Sequence, residues 1–214
     1  MPHPILHNIR KDYQRERLLE NNVNSDPFLQ FRHWLNQAIE AGIDEPTAMM
    51  LSTVDVNGNP SSRIVLLKDA TNKGLTFFTN YESRKGEEML HHPKVAALFF
   101  WSALERQVRI EGFAEKIDST LSDDYFTSRP VDSRFAAHAS PQSKVITGRD
   151  ILESELDAVK KRYADIDIPR PAHWGGYQII PNYFEFWQGG AARLHDRLRY
   201  TKQSSDWKIE RLAP

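Results

Sequence analysis

In the stretch FWQGGAARLHDRLRY, residues 186–200, Arg193, His195, Arg197 and Arg199 recur at every second position. An extended chain with that spacing gathers them on one face and puts Leu194, Asp196, Leu198 and Tyr200 on the other. Such a row of cations repels itself. It serves either as an exposed edge strand guarded by charge or as one wall of a pocket for an anionic or electron-rich ring. Trp187 and the Gly189–Gly190 pair lead into it, and glycine allows a tight bend and close approach of a planar ligand. These features favour the pocket.

Three further segments carry groups suited to anions. RIVLLK, residues 63–68, alternates Arg63, Val65 and Leu67 with Ile64, Leu66 and Lys68. Its two cations are either solvated strand ends or separate anion contacts on opposite faces. In SRKGEE, residues 83–88, Ser83 can cap a helix whose first turn holds Arg84 and Lys85. Cations there oppose the helix dipole, and an anion bound at the helix start offsets the conflict. The alternative is an exposed basic pair. YFTSRPVDS supplies Tyr125, Arg129 and Ser133, one fixed charge and two hydroxyls, and PQSK supplies Gln142 and Ser143. No HExxH, GxSxG, GxGxxG or GxxxxGK[ST] motif occurs, so no metal site, serine hydrolase or nucleotide-binding Rossmann domain is expected.

The elements that must position these groups are mostly strands. SDPFLQFRHWLNQAIEAG predicts a helix with Ser25 or Asp26 as cap, Pro27 in its first turn and Gly42 at its exit. Its apolar stripe is Phe28, Phe31, Trp34, Leu35, Ala38 and Ile39. TAMMLSTVDVNGNPSSRIVLLKD reads as two strands around a tight Asn57–Gly58 turn. GLTFFTN, KVAALFFW, RQVRIEGFAEKID, GGYQIIPNYFEFWQG, RLHDRLRYT and WKIERLAP read as further strands. Helical character falls in ESRKGEEMLHH, STLSDDYFTSRP, DSRFAAHAS and GRDILESELDAVKKRYAD. Because strands follow one another directly, the expected class is mainly β with peripheral helices, an antiparallel sheet closed into a barrel. Residues 1–24 read as a mobile N-terminal arm and 25–214 as a single domain.

Bulk composition sets limits on partners. Lys plus Arg is 28 and Asp plus Glu is 29, so any anion site must be local and neither nucleic acid nor membrane is an expected partner. The chain has no cysteine, which excludes disulfides and thiolate chemistry. No run approaches the length of a membrane helix and no signal-peptide pattern opens the chain, so a cytoplasmic location is expected.

Taken in order, RIVLLK, SRK, ERQVRIEG, YFTSRPVDS, PQSK, WGGY, FWQGG, RLHDR and WKIERLAP resemble the pyridoxamine (pyridoxine) 5′-phosphate oxidase family from about residue 10 to the C-terminus. The resemblance implies an FMN-binding split barrel and a homodimer with non-covalent FMN at its interface. It implies an oxidase that converts pyridoxine 5′-phosphate or pyridoxamine 5′-phosphate to pyridoxal 5′-phosphate. O2 is the electron acceptor, and H2O2, with ammonia from the amine, is released, as the last step of vitamin B6 cofactor synthesis and salvage. The implied FMN contacts are Arg63, Ile64, Val65, Leu66, Leu67, Lys68, Phe78, Thr79, Arg84, Lys85, Gln107, Gln142, Ser143, Trp187 and Arg197. The implied substrate contacts are Lys68, Tyr125, Arg129 and Ser133 at the phosphate and Arg193, Leu194 and His195 at the ring. Arg10, Lys11, Asp12 and Tyr13 resemble a segment that folds over the site. Arg193, His195 and Arg197 are the implied catalytic set.

Overall fold

A computed structural model describes Tyr13 and residues 17–214. Arg10, Lys11 and Asp12 therefore lie outside the described residues. From Leu18 onward the expected arm is held in place. The Leu18 N–H donates to Asp196 Oδ2 at 3.0 Å, and Arg211 donates to the Leu18 carbonyl and to both Glu20 carboxylate oxygens.

The first helix, α1 (Pro27–Glu40), forms where its capping residues place it. Asp26 Oδ1 accepts the Phe28 N–H at 2.8 Å, and Gly42 beyond the exit takes φ +68°, the left-handed region open to glycine. Phe28, Phe31, Trp34, Leu35 and Ala38 are buried as expected, whereas Ile39 is 51% exposed and leaves the predicted stripe.

Nine strands follow: β1 (Ala48–Val54), β2 (Pro60–Leu66), β3 (Asp69–Thr71), β4 (Gly74–Asn80), β5 (Lys94–Trp101), β6 (Arg106–Lys116), β7 (Trp174–Gln188), β8 (Asp196–Lys202) and β9 (Trp207–Arg211). Four more helices intervene: α2 (Arg84–His91), α3 (Ser119–Ser128), α4 (Val131–Ala139) and α5 (Arg149–Arg162). The strands pair in the order β2-β1-β5-β6-β7-β4-β3, with β8 on β7 and β9 on β8. The β3–β4, β4–β7, β7–β8 and β8–β9 pairs are antiparallel. The short β3 was not anticipated. The β1–β2 connection is longer than the expected two-residue turn. It spans residues 55–59, where Asp55 Oδ1 accepts the Asn57 and Asn59 N–H groups at 2.8 and 2.9 Å. The side chain thus caps its own loop, an Asx turn in place of the tight pair.

The chain forms two compact units. One contains the described residues up to Met49, with Ala97–Glu111 and Pro181–Pro214; the other contains Met50–Ala96 and Gly112–Ile180. In the first, α1 lays its rings on the sheet, with Phe28 on Phe184 (5.3 Å), Phe31 on Phe99 (5.0 Å) and Trp34 on Phe186 (5.2 Å). In the second, Phe77 stacks on Tyr177, while Phe126, Ile168 and Trp174 gather Phe78 and Tyr125 around them. Among the described residues no helix is long and apolar enough to cross a membrane.

Candidate active site

In the second unit, β1, β2 and the start of α2 bring cations together. Burial along β2 follows the predicted parity: Arg63 and Val65 are half-buried, Ile64, Leu66 and Lys68 are exposed, and Leu67, just past the strand, is buried. Arg63 donates to Thr53 Oγ1, Ser61 Oγ, the Leu51 carbonyl at 3.2 Å and Glu88 Oε2 at 3.1 Å. Ser83 caps α2 as predicted, accepting the Gly86 N–H. Lys85 in the first turn is only 8% exposed. Its ammonium donates to Thr79 Oγ1 (3.1 Å), Ser83 Oγ (3.1 Å) and Gln142 Oε1 (2.9 Å), all neutral oxygens. Burial, then the Arg63 charge, pulls its pKa down to about 8 against the opposing pull of Glu88. Arg84 meets the helix-dipole conflict in an unforeseen way, through an i,i+4 pair with Glu88 at 2.7 Å. Ser143, beside Gln142, sits at φ +71°.

A cleft of about 660 Å³ opens in the same unit, lined by Lys68, Phe78, Lys116, Leu121, Tyr125 and neighbours. Tyr125 stacks on Phe78 with ring centroids 3.8 Å apart. Phe78 stacks in turn on Trp174 at 5.6 Å, and the Arg129 guanidinium covers the Trp174 ring at 4.5 Å. Arg129 Nη1 is buried without a hydrogen-bond partner among the described residues. An orphaned buried cationic N–H is costly and suits an anion that completes it. Lys68 and Tyr125 therefore share one cleft, and Arg129 joins Tyr125 through the aromatic stack. Ser133 lies half-buried in the first turn of α4.

In the first unit, RLHDR lies between β7 and β8, with Asp196 and Arg197 on β8 itself. Trp187 and His195 approach to 4.8 Å between centroids, and Tyr13 packs edge-on against both, at 5.6 and 5.7 Å. Glycine is needed here: a Cβ on Gly189 would come within 2.7 Å of the Tyr13 ring, and one on Gly190 within 2.3 Å of the Leu194 carbonyl oxygen. The Gly190 N–H donates to His195 Nδ1 at 3.1 Å, so the neutral ring carries its proton on Nε2.

The expected alternation does not extend to Arg193. A 3-10 turn covers Ala191–Arg193, Ala192 and Arg193 have φ +53° and +65°, and β8 begins at Asp196. Arg193 and Leu194 are exposed, so strand parity cannot sort their side chains. Leu194, at 72% exposure, has little burial to lose. Leu194→Ala is therefore expected to shift stability by less than about 0.5 kcal/mol, a negligible change in Tm, in place of the core-sized loss strand parity implies. Calorimetry of the variant checks this.

Arg197 does lie on β8, and its partner is Glu185, 1% exposed in its side chain. Glu185 accepts Arg197 Nε at 2.8 Å, Tyr183 Oη at 2.9 Å and Arg109 Nη1 at 3.2 Å. Burial alone would raise the Glu185 pKa; the bonds from Arg197 and Tyr183 outweigh it and hold it low. Burial, with the bond to Glu185, pushes Tyr183 up to about 12. Arg197 also donates to the Ala213 carbonyl at 2.8 Å. Gln107 is half-buried on β6.

Sequence reasoning missed Glu88 and Glu185, two buried carboxylates that pair with predicted site cations. A signal existed for Glu185: a lone acid inside the apolar strand NYFEFWQ needs a cationic partner. Glu88 stood out less, because SRKGEE offers two adjacent acids and only the fold buries the second.

Comparison with known proteins is consistent with this arrangement. Residues 35–163 match the family model described as pyridoxamine 5′-phosphate oxidase, and residues 174–214 match the pyridoxine 5′-phosphate oxidase C-terminal dimerisation region. A pyridoxine/pyridoxamine 5′-phosphate oxidase of a Cyanothece species is 53% identical over 96% of this chain and 97% of that protein. One from Mannheimia succiniciproducens is 49% identical over 98% and 99%. The crystal structure of PhzG from Burkholderia lata, in complex with tetrahydrophenazine-1-carboxylic acid, superposes with a TM-score of 0.87 at 30% identity, covering 93% of this chain and 98% of that one. A pyridoxamine 5′-phosphate oxidase-related, FMN-binding protein from Nostoc punctiforme shares the fold, with a TM-score of 0.69 at 16% identity over 86% and 97%. These likenesses bear out the expected split-barrel class, and with sequence matches of this extent the chain belongs to the pyridoxamine 5′-phosphate oxidase family.

Proposed function

We propose that this chain is an FMN-dependent oxidase that converts pyridoxine 5′-phosphate or pyridoxamine 5′-phosphate to pyridoxal 5′-phosphate. It works in the cytoplasm as a homodimer with FMN at the interface, the C-terminal match to a dimerisation region supporting the assembly. The observation that carries the reading is a pair of separate groups suited to phosphate within one unit. One is the buried Lys85 ammonium with only neutral oxygen partners beside Arg63; the other is Lys68, Tyr125 and the partly orphaned Arg129. Cofactor and substrate are both phosphate monoesters, so two such groups are what the reaction needs.

When bound, FMN supplies the acceptor for a hydride from the substrate C4′ and passes the electrons to O2. The alcohol and O2 yield aldehyde and H2O2; the amine, O2 and water yield aldehyde, ammonia and H2O2. The protein's share is binding and orientation. Arg63, Arg84 and Lys85, with Thr79, Gln142 and Ser143, hold the FMN phosphate. Ile64 to Lys68 and Phe78 line the flavin, and Gln107, Trp187 and Arg197 complete its surroundings. The substrate phosphate lies with Lys68, Tyr125, Arg129 and Ser133. Arg193, Leu194 and His195 place the pyridine ring, with Tyr13 packed beside His195. Arg197, fixed by Glu185, stabilises negative charge on the flavin ring. His195, with Nδ1 engaged by Gly190, offers its Nε2–H to the oxygen on the substrate ring.

The 30% identity to PhzG raises a second reading, a flavoprotein of the same fold acting on a different ring. One experiment separates the two. The purified protein is expected to be yellow and to bleach anaerobically with pyridoxamine 5′-phosphate, and not with NADPH alone. Flavin that stays oxidised with both phosphorylated substrates would sink the proposal.

The Lys85 pKa of about 8 adds a pH prediction. Phosphate binding favours the charged amine and raises its pKa, so above pH 8 FMN binding takes up a proton. FMN affinity is therefore expected to fall above about pH 8 by up to about tenfold per pH unit, one proton's worth. Fluorescence titrations between pH 7 and 10 check this, with Lys85→Gln as the control that loses the extra slope.

A further inference from the structure

Glu88 belongs to none of the contact sets above, yet four side chains on three elements point donors at it. Its Oε1 accepts Arg84 Nε at 2.7 Å and Ser61 Oγ at 3.0 Å. Its Oε2 accepts Thr53 Oγ1, Ser61 Oγ at 2.9 Å and Arg63 Nη2 at 3.1 Å. The side chain is 5% exposed. Burial would raise its pKa, but the hydrogen bonds from Thr53, Arg84 and Ser61 hold it low, so it stays ionised at neutral pH. The surrounding cations are Arg63, Arg84 and Lys85.

We propose that Glu88 is the positioning residue of this anion cradle: it fixes Arg63 and Arg84 around the phosphate and cancels one of three crowded positive charges. This inference rests on assigning the cradle to the FMN phosphate. Thr53 and Ser61 serve the same end, since each hydroxyl bonds both Glu88 and the Arg63 guanidinium. Arg63 Nη2 has its carboxylate partner in Glu88, so loss of that charge leaves the guanidinium to turn away from the site. A purely electrostatic account predicts the opposite result, because removing a negative charge strengthens anion binding.

The test compares FMN with riboflavin, which shares the ring system and lacks the phosphate. Wild type, Glu88→Gln and Thr53→Val are stripped of flavin and titrated with each by fluorescence. Wild type is expected to prefer FMN strongly; equal affinities would overturn the assignment of the cradle itself. In Glu88→Gln, FMN affinity is expected to fall by at least about tenfold, the scale of one charge-assisted hydrogen bond, with riboflavin affinity unchanged. Unchanged or tighter FMN binding in a wild type that discriminates would overturn the positioning role, and so would a parallel loss of both flavins. If Glu88→Gln does not fold, Thr53→Val decides. It keeps shape and charge and is expected to weaken FMN by about threefold, part of one neutral hydrogen bond, and riboflavin not at all; no loss of FMN affinity overturns the proposal.

Discussion

Arg193→Ala is expected to lower kcat/KM for pyridoxine 5′-phosphate by about 30- to 1,000-fold, equivalent to about 2–4 kcal/mol of lost transition-state stabilisation. The side chain is exposed in a turn that no core packing depends on, so the variant should stay folded and keep its flavin. On the proposed assignment, what it loses is a cation over the substrate ring, and with it the approach of C4′ to the flavin. His195→Ala should act in the same direction and less strongly. It removes the acceptor for the Gly190 N–H and a ring packed on Trp187, so some loss of local order accompanies the loss of rate. Steady-state kinetics together with Tm for both variants provide the check. Wild-type kcat/KM in a folded, yellow Arg193→Ala protein would return this segment to the role of a charged, exposed turn.

Loss of cofactor is the expected result of Lys85→Ala and Arg63→Ala. On the proposed assignment, each would remove a charge-assisted hydrogen bond to phosphate, worth about 1.5–3 kcal/mol, so FMN affinity should fall roughly tenfold to hundredfold. The two variants should differ in the apoprotein. Lys85 is a buried ammonium without a carboxylate in contact, and its removal relieves a desolvated charge at the expense of a cavity. Removing Arg63 leaves the buried Glu88 with one cation fewer, which should lower Tm further. Gel filtration of loaded protein reads flavin retention, and colourless fractions from both variants with substrate still bound are the expected outcome. Full retention in both would remove these residues from the flavin site.

Much of this architecture is local and was legible in the chain. The Asp26 cap and Pro27 start α1 where they stand, and Ser83 starts α2, because a cap acts on backbone N–H groups two or three residues away. Alternation in β2 carried through to burial, since a strand's side chains alternate by geometry alone. The Gly189–Gly190 pair was read as room for a planar ligand; in the fold the Tyr13 ring and the Leu194 carbonyl take up the space beside the two glycines. Other features required the fold. The sequence could list Arg63, Arg84, Lys85 and Arg197 as cations, but not which of them would be neutralised. Glu88 takes Arg63 and Arg84, Glu185 takes Arg197 and Arg109, and Lys85 keeps neutral partners. Those pairings join residues as many as 76 positions apart, and no periodic pattern encodes them. Arg193 shows the complementary limit. Its alternation with His195 and Arg197 is present in the chain, but the turn at Ala192 and Arg193 breaks the strand before parity can act. Backbone torsion at those two residues takes Arg193 off the strand and leaves it exposed in a turn.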